Sequence, residues 1–223
     1  MSSDNSIVTQ PGDEIHFNDY CAATATLVDD VSVYNRHMTK AIAFTLGLCF
    51  AALSQGAEPV LDNERVTVWD TSSPMPPAQH DFVTVSLARQ GRASFGHVGD
   101  IPDKSGVRMI VIELKDHPLA PLANNSGYPL AFPRANARKL LENDKVVVWD
   151  NVWHPGKPTP MHFHDKDALV VYEATGALQS TTPDGKQVVG DYKFAQIKFS
   201  PRDHVHTEVL VKGQGHAVIT ELK

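Results

Sequence analysis

The chain has 223 residues, 42% hydrophobic and 21% charged, which suits one sizeable domain or two small ones with a packed core. Its formal charge of −6 leaves no basic footprint and argues against nucleic acid as a partner. The two cysteines, Cys21 and Cys49, make neither a disulfide framework nor a zinc ribbon.

Residues 1–37 are polar and mildly acidic, with Asp4, Asp13, Glu14, Asp19, Asp29 and Asp30 among short apolar runs. Met38 opens a different segment. Lys40 supplies a positive charge, Ala41 to Leu53 is uncharged and apolar, and small residues around Ser54 and Gly56 follow. This is the layout of a secretory signal peptide over 38–56, and the apolar run is short for a membrane span. The expectation is a physiological start at Met38 and a periplasmic or secreted product. After processing that product carries neither cysteine, as an oxidising compartment favours, and no stable membrane span.

An internal repeat comes next. Leu61–Asp70 reads LDNERVTVWD and Leu141–Asp150 reads LENDKVVVWD, while MIVIELK at 109–115 resembles AVITELK at 217–223. Two copies of one strand-rich unit therefore lie in tandem, 61–115 and 143–223. Two Trp-Asp copies cannot close a propeller. The segment 116–142 between them is rich in Pro, Asn and Ala. It reads as a surface linker followed by a short helix around Ala135 to Leu141.

Within the second copy, short β-rich runs alternate with Gly, Pro and Asp. Strands are predicted at 146–149, 168–172, 177–181, 187–189, 194–199, 205–211 and 216–222, with Pro183-Asp184-Gly185 as a hairpin turn. The pattern predicts an all-β, antiparallel jelly-roll barrel.

The chemistry-bearing residues fall in this copy. His162 and His164 are spaced i, i+2 and share a face of a strand. His204, His206 and Glu208 repeat that spacing about forty residues later. Imidazoles converging from two strands suit Zn, Fe, Cu, Ni or Mn. The first copy offers only His80 in place of the first pair. His16, His37, His80, His97, His117, His154 and His216 are scattered and read as structural. His154, beside a Pro-Gly turn, is the one most suited to line a pocket.

These residues resemble the cupins, and in tandem a bicupin. The first cupin motif runs glycine, five residues, His-x-His, a glutamate and a closing glycine; Gly156, His162-Phe163-His164 and Gly176 match it. The second motif matches Pro201-Arg202-Asp203-His204-Val205-His206, with Asp203 where the family has glycine. The resemblance implies His162, His164 and His206 as metal ligands. The family's glutamate falls at Ala168 or Leu169, neither of which can bind metal, so Asp167 or Glu208 is a candidate substitute. His204 is a fourth ligand or an outer donor. The implied cofactor is one divalent transition metal, and export would favour Cu and Zn over Fe(II) and Mn(II). The function implied is a metal-dependent enzyme on a small organic molecule, such as a dioxygenase. The alternatives are a non-catalytic metal- or ligand-binding protein and a structural module with a degenerate site. Pairing as a homodimer is implied by analogy only. No residue is singled out as catalytic beyond the metal ligands.

Overall fold

The structure is a computed structural model that describes residues 58–100, 102 and 106–223. The upstream segment 1–37, the segment 38–56 expected to be a signal peptide, both cysteines, His16 and His37 lie outside the described residues. Among the described residues, fourteen strands follow in chain order. They are β1 (Leu61–Asp62), β2 (Val66–Asp70), β3 (Phe82–Ser86), β4 (Ala93–Gly96), β5 (Met109–Leu114), β6 (Ala137–Glu142) and β7 (Val146–Trp153). Then come β8 (His162–His164), β9 (Ala168–Tyr172), β10 (Gly176–Thr181), β11 (Gln187–Tyr192), β12 (Ile197–Ser200), β13 (His204–Gly213) and β14 (Gly215–Leu222). Among the described residues no helix is long and apolar enough to cross a membrane.

The strands make three antiparallel sheets. The first has the order β1-β2-β5-β3-β4, the second β12-β9-β14-β7-β6, and the third β11-β10-β13-β8. The jelly roll lies in the second and third. Around the β10–β11 hairpin, β9 pairs with β12, β8 with β13 and β7 with β14. Those nested pairs are one long hairpin wound into two facing sheets, which is how a jelly roll closes. The hairpin tip is the expected turn, with Gly185 N donating to Thr182 O at 2.9 Å.

Layering explains the sequence pattern. One core lies between the first and second sheets and includes Val66, Val68, Val83, Val85, Ile110 and Ile112 from one side and Val146, Val148, Leu169, Val171 and Val218 from the other. A second core between the second and third sheets includes Trp149, Trp153, Val170, Tyr172, Leu178, Leu210 and Ile219. The second sheet is thus covered on both faces, so β9 is buried along its length, whereas β2 alternates. Each fully buried Val or Leu contributes about 1.5–3 kcal/mol. β11, at the sheet edge, is exposed except for Tyr192.

The repeated sequences make the same contacts twice. Asn63 Oδ1 accepts from the backbone of Arg65 and Val66 at 2.8 and 2.9 Å, and Asn143 Oδ1 from that of Lys145 and Val146 at 2.9 Å each. Trp69 Nε1 donates to Glu113 at 2.7 Å, and Trp149 Nε1 to Glu221 at 2.8 Å. Asp70 pairs with Arg108 at 2.6 Å, and Asp150 with His216 at 2.6 Å. Residues 61–115 form a single five-stranded sheet, and the described residues there include no counterpart of the third sheet.

Two local expectations are corrected. The short helix around Ala135 to Leu141 is strand β6, which pairs with β7 from Ala137↔Asn151 to Glu142↔Val147 with an irregularity between Lys139 and Leu141. Good helix formers there yield to an open sheet edge that offers unpaired hydrogen-bonding groups. The strand read from Phe194 begins only at Ile197, because Lys193–Gln196 is a turn closed by Gln196 N donating to Lys193 O at 3.0 Å. The segment 116–142 also does more than cross the surface. Ala131 N donates to Phe163 O, and Phe163 N to Pro129 O, both at 2.8 Å, and Ala131 and Phe132 are buried in the second core.

Candidate metal centre

β8 and β13 lie side by side with His206 opposite His162 and His204 opposite His164. The i, i+2 spacing on each strand turns all four imidazoles to one face of the third sheet. Two glycines and one aspartate of the sequence motifs serve the backbone here. Gly156 takes φ 67° in the turn before β8. At Gly176 an added Cβ would lie 2.5 Å from Lys212 O, so β10 and β13 can approach only at glycine. Asp203, standing where the motif has glycine, takes φ 69°, a conformation that Asp tolerates better than most residues.

Three imidazoles converge. His162 Nε2 lies 3.2 Å from His164 Nε2, and His164 Nε2 lies 3.1 Å from His206 Nε2. Metal–nitrogen bonds of about 2.0–2.1 Å place two ligand nitrogens about 2.9 Å apart at a right angle and about 3.4 Å apart at the tetrahedral angle. The observed separations fall between those limits. The tautomers agree with that fit. His162 Nδ1 is 2.8 Å from Pro160 O, a pure acceptor, so Nδ1 carries the proton and the Nε2 lone pair faces its neighbours. His206 Nδ1 lies 2.9 Å from Ser180 Oγ on β10. Such outer contacts orient metal-binding histidines.

Burial keeps these rings neutral. Desolvation, reinforced by His204, His162, His206 and Arg134 around it, holds His164 far below the ordinary histidine value. Desolvation likewise lowers His206 to about 4 against the pull of Glu208, and lowers His162 against its bond to Pro160. Neutral imidazole is the form that binds metal.

The other candidates stand elsewhere. His204 stacks on His164, with ring centroids 4.3 Å apart and planes 10° apart, and it does not join the cluster of convergent ligand atoms. Asp167 faces away: Oδ2 is 2.5 Å from Arg65 Nη1, and Oδ1 accepts from Arg202 N at 2.9 Å. Glu208 stands close to the histidines but accepts from Trp153 Nε1 at 3.0 Å and lies 3.6 Å from Arg134 Nη2. Burial pushes its carboxyl up, but Arg134, His206, His162 and the Trp153 bond outweigh burial and hold it below the usual value. His154 is exposed, one residue beyond the inward-facing Trp153. Leu169 packs in the core against the first sheet. Ala168 instead lines a small cavity of about 30 Å³ with Arg134, Trp153, His164, Val170, His206 and Glu208.

Arg134 is the functional candidate that sequence reasoning missed. Its side chain is 7% exposed. Nη1 lies 3.3 Å from His162 Nε2, Nε donates to Asn151 Oδ1 at 3.1 Å, and the guanidinium lies 4.6 Å from the Phe132 ring centroid. Nothing marked a lone arginine in a Pro-rich linker, because its role depends on that linker pairing with β8. A second cluster was also missed. His216 lies 2.6 Å from Asp150 and 3.4 Å from Glu173, Glu173 accepts from Gly91 N at 2.9 Å, and Arg138 lies 2.7 Å from Asp150. Arg138 and His216 already meet the Asp150 carboxylate there, and the network fastens the Gln90–Gly91 turn to the second sheet.

No protein-family model matches the chain, and no curated protein matches it. Among solved structures it is similar to a cupin domain from Bordetella pertussis Tohama I, with 26% identity over 43% of this chain and 96% of that chain and a TM-score of 0.37. It is similar to an RmlC-like cupin family protein with a double-stranded β-helix fold from Methanocaldococcus jannaschii, with 13% identity over 48% and 92% of the two chains and a TM-score of 0.33. It is also similar to a DMSP lyase from Ruegeria pomeroyi DSS-3, with 14% identity, covering 39% of this chain and 46% of that one, and a TM-score of 0.33.

Proposed function

On this cupin jelly roll, we propose that the chain binds one divalent transition metal through His162, His164 and His206 and uses the positions left open to act on a small organic molecule. The observation that carries this reading is the convergence of three neutral imidazoles, with His164 Nε2 at 3.2 Å from His162 Nε2 and 3.1 Å from His206 Nε2 and the His162 tautomer fixed by Pro160 O. A redox-active ion would supply dioxygen chemistry there, and Zn would supply Lewis acidity. The protein's part is to hold three imidazoles neutral, to keep bulk water out with Trp153, Tyr172 and Ile219, and to present Arg134 and Glu208 beside the ligands.

The small cavity supports a second reading, in which the site holds metal or a very small ligand without turnover. Export through residues 38–56 belongs to the proposal and is tested by N-terminal sequencing of the protein recovered outside the cytoplasm. The reading of 61–115 as a duplicate of the second sheet alone is supported by the shared strand order and the paired Asn, Trp and Asp contacts.

The test of the main reading is elemental analysis after exposure to Zn, Cu, Mn and Fe(II), run beside His162→Ala/His164→Ala. About one ion per chain, lost in the variant, is expected. No ion in either protein overturns the reading.

A further inference from the structure

Arg134 has too few acceptors for a metal-loaded site. Its side chain is buried beside the cluster, and its Nη1–H now points at the His162 Nε2 lone pair at 3.3 Å. Guanidinium donates and cannot accept, so His162 Nε2 is the acceptor. A metal ligated by His162 takes that same lone pair. Nη1 is then a buried charged donor with no acceptor, an arrangement proteins avoid.

Charge gives the same answer. Glu208, 3.6 Å from Arg134 Nη2, offsets the guanidinium once. The three histidines are neutral at physiological pH. A divalent ion added to this set leaves the pocket with an excess of positive charge, and the only other charged residue lining it is the exposed Lys198. Buried charge requires a counter-charge.

We propose that the site, once loaded with metal, takes a small carboxylate whose oxygens are shared between the metal and the Arg134 guanidinium. This rests on the metal-binding reading above and names its substrate class. The planar guanidinium matches the planar carboxylate. Phe132 and Asn151 hold it in place, at 4.6 Å from ring centroid to guanidinium and 3.1 Å from Oδ1 to Nε. The cavity of about 30 Å³ limits the part bound inside the barrel to a few heavy atoms.

The test uses the full chain loaded with Co(II), whose visible absorption reports changes in coordination. Formate is the probe, and formamide is its neutral isostere. Formate is expected to give a saturable spectral change and formamide none. Arg134→Gln is expected to keep one Co(II) per chain and to weaken formate at least about tenfold, as loss of a charged hydrogen bond does. Arg134→Lys, which keeps the charge, is expected to retain more of the affinity than Arg134→Gln. A spectrum that ignores formate, responds equally to formamide, or is unchanged by Arg134→Gln overturns the proposal while leaving metal binding intact. Failure of the wild-type chain to take up Co(II) overturns both readings, and the stoichiometry tells the two failures apart.

Discussion

Arg65 and Asp167 form an ion pair at 2.5 Å between the two segments of repeated sequence, and both side chains are buried. Lys145 and Asp81 form its counterpart at 2.9 Å, in a more exposed setting. The two pairs are reciprocal: Arg65 and Lys145 hold the same place in the repeated sequence, and Asp81 and Asp167 each stand one residue before the strands β3 and β9. Leu114 N donates to Asp81 O at 2.8 Å and Leu222 N to Asp167 O at 2.9 Å, which completes the correspondence.

Removing one partner of a buried pair strands the other charge, which costs about 3–5 kcal/mol. Asp167→Ala should destabilise the chain by that amount, and Asp81→Ala by about 1 kcal/mol or less, as for exposed pairs. Urea unfolding measures both. Asp167→Ala should still bind one metal per folded chain; loss of the metal would make Asp167 a ligand after all.

Ser180 Oγ orients His206 from 2.9 Å without touching the cluster centre. Ser180→Ala should weaken metal affinity about tenfold or more, as for other contacts that hold a liganding histidine. Competition with a coloured chelator reads this directly. Affinity equal to wild type would assign the bond to packing alone.

The buried histidines make stability depend on pH. His162, His164, His204 and His206 all titrate below the ordinary value of about 6.5 in the folded chain, chiefly through desolvation. Below that pH the unfolded chain binds more protons than the folded one, so stability rises with pH. The His206 contribution is complete above about 6.5 and is lost as pH falls towards its folded value of about 4. Each such group adds a slope of up to about 1.4 kcal/mol per pH unit. Glu173 and Glu221, raised mainly by burial, act in the opposite direction. His206→Ala should therefore flatten the metal-free stability curve between pH 4 and 6.5. A curve of unchanged slope would show that His206 takes up its proton in the folded chain as it does in the unfolded one.

The sequence made the strands and the histidines legible for one physical reason: side-chain period and turn residues are local. His162, His164 and His206 needed only strand alternation and a resemblance to be grouped. The middle position of the second sheet was not legible, because a strand covered on both faces reads like any short apolar run. Nor was strand β6, where Leu140 and Leu141 suit a helix until the edge of β7 claims the backbone. Arg134 and the roles of Asp167 and His204 depend on contacts between distant segments. Spacing along the chain does not encode whether Asp167 meets a metal or Arg65, 102 residues away.

The most direct test of the central claim is metal-edge X-ray absorption on the loaded protein. The account predicts about three imidazole nitrogens at about 2.0–2.1 Å, with the multiple scattering of histidine rings, and a weaker imidazole signal after His206→Ala. A first shell of oxygen alone, or a spectrum unchanged by His206→Ala, would contradict a metal held by His162, His164 and His206.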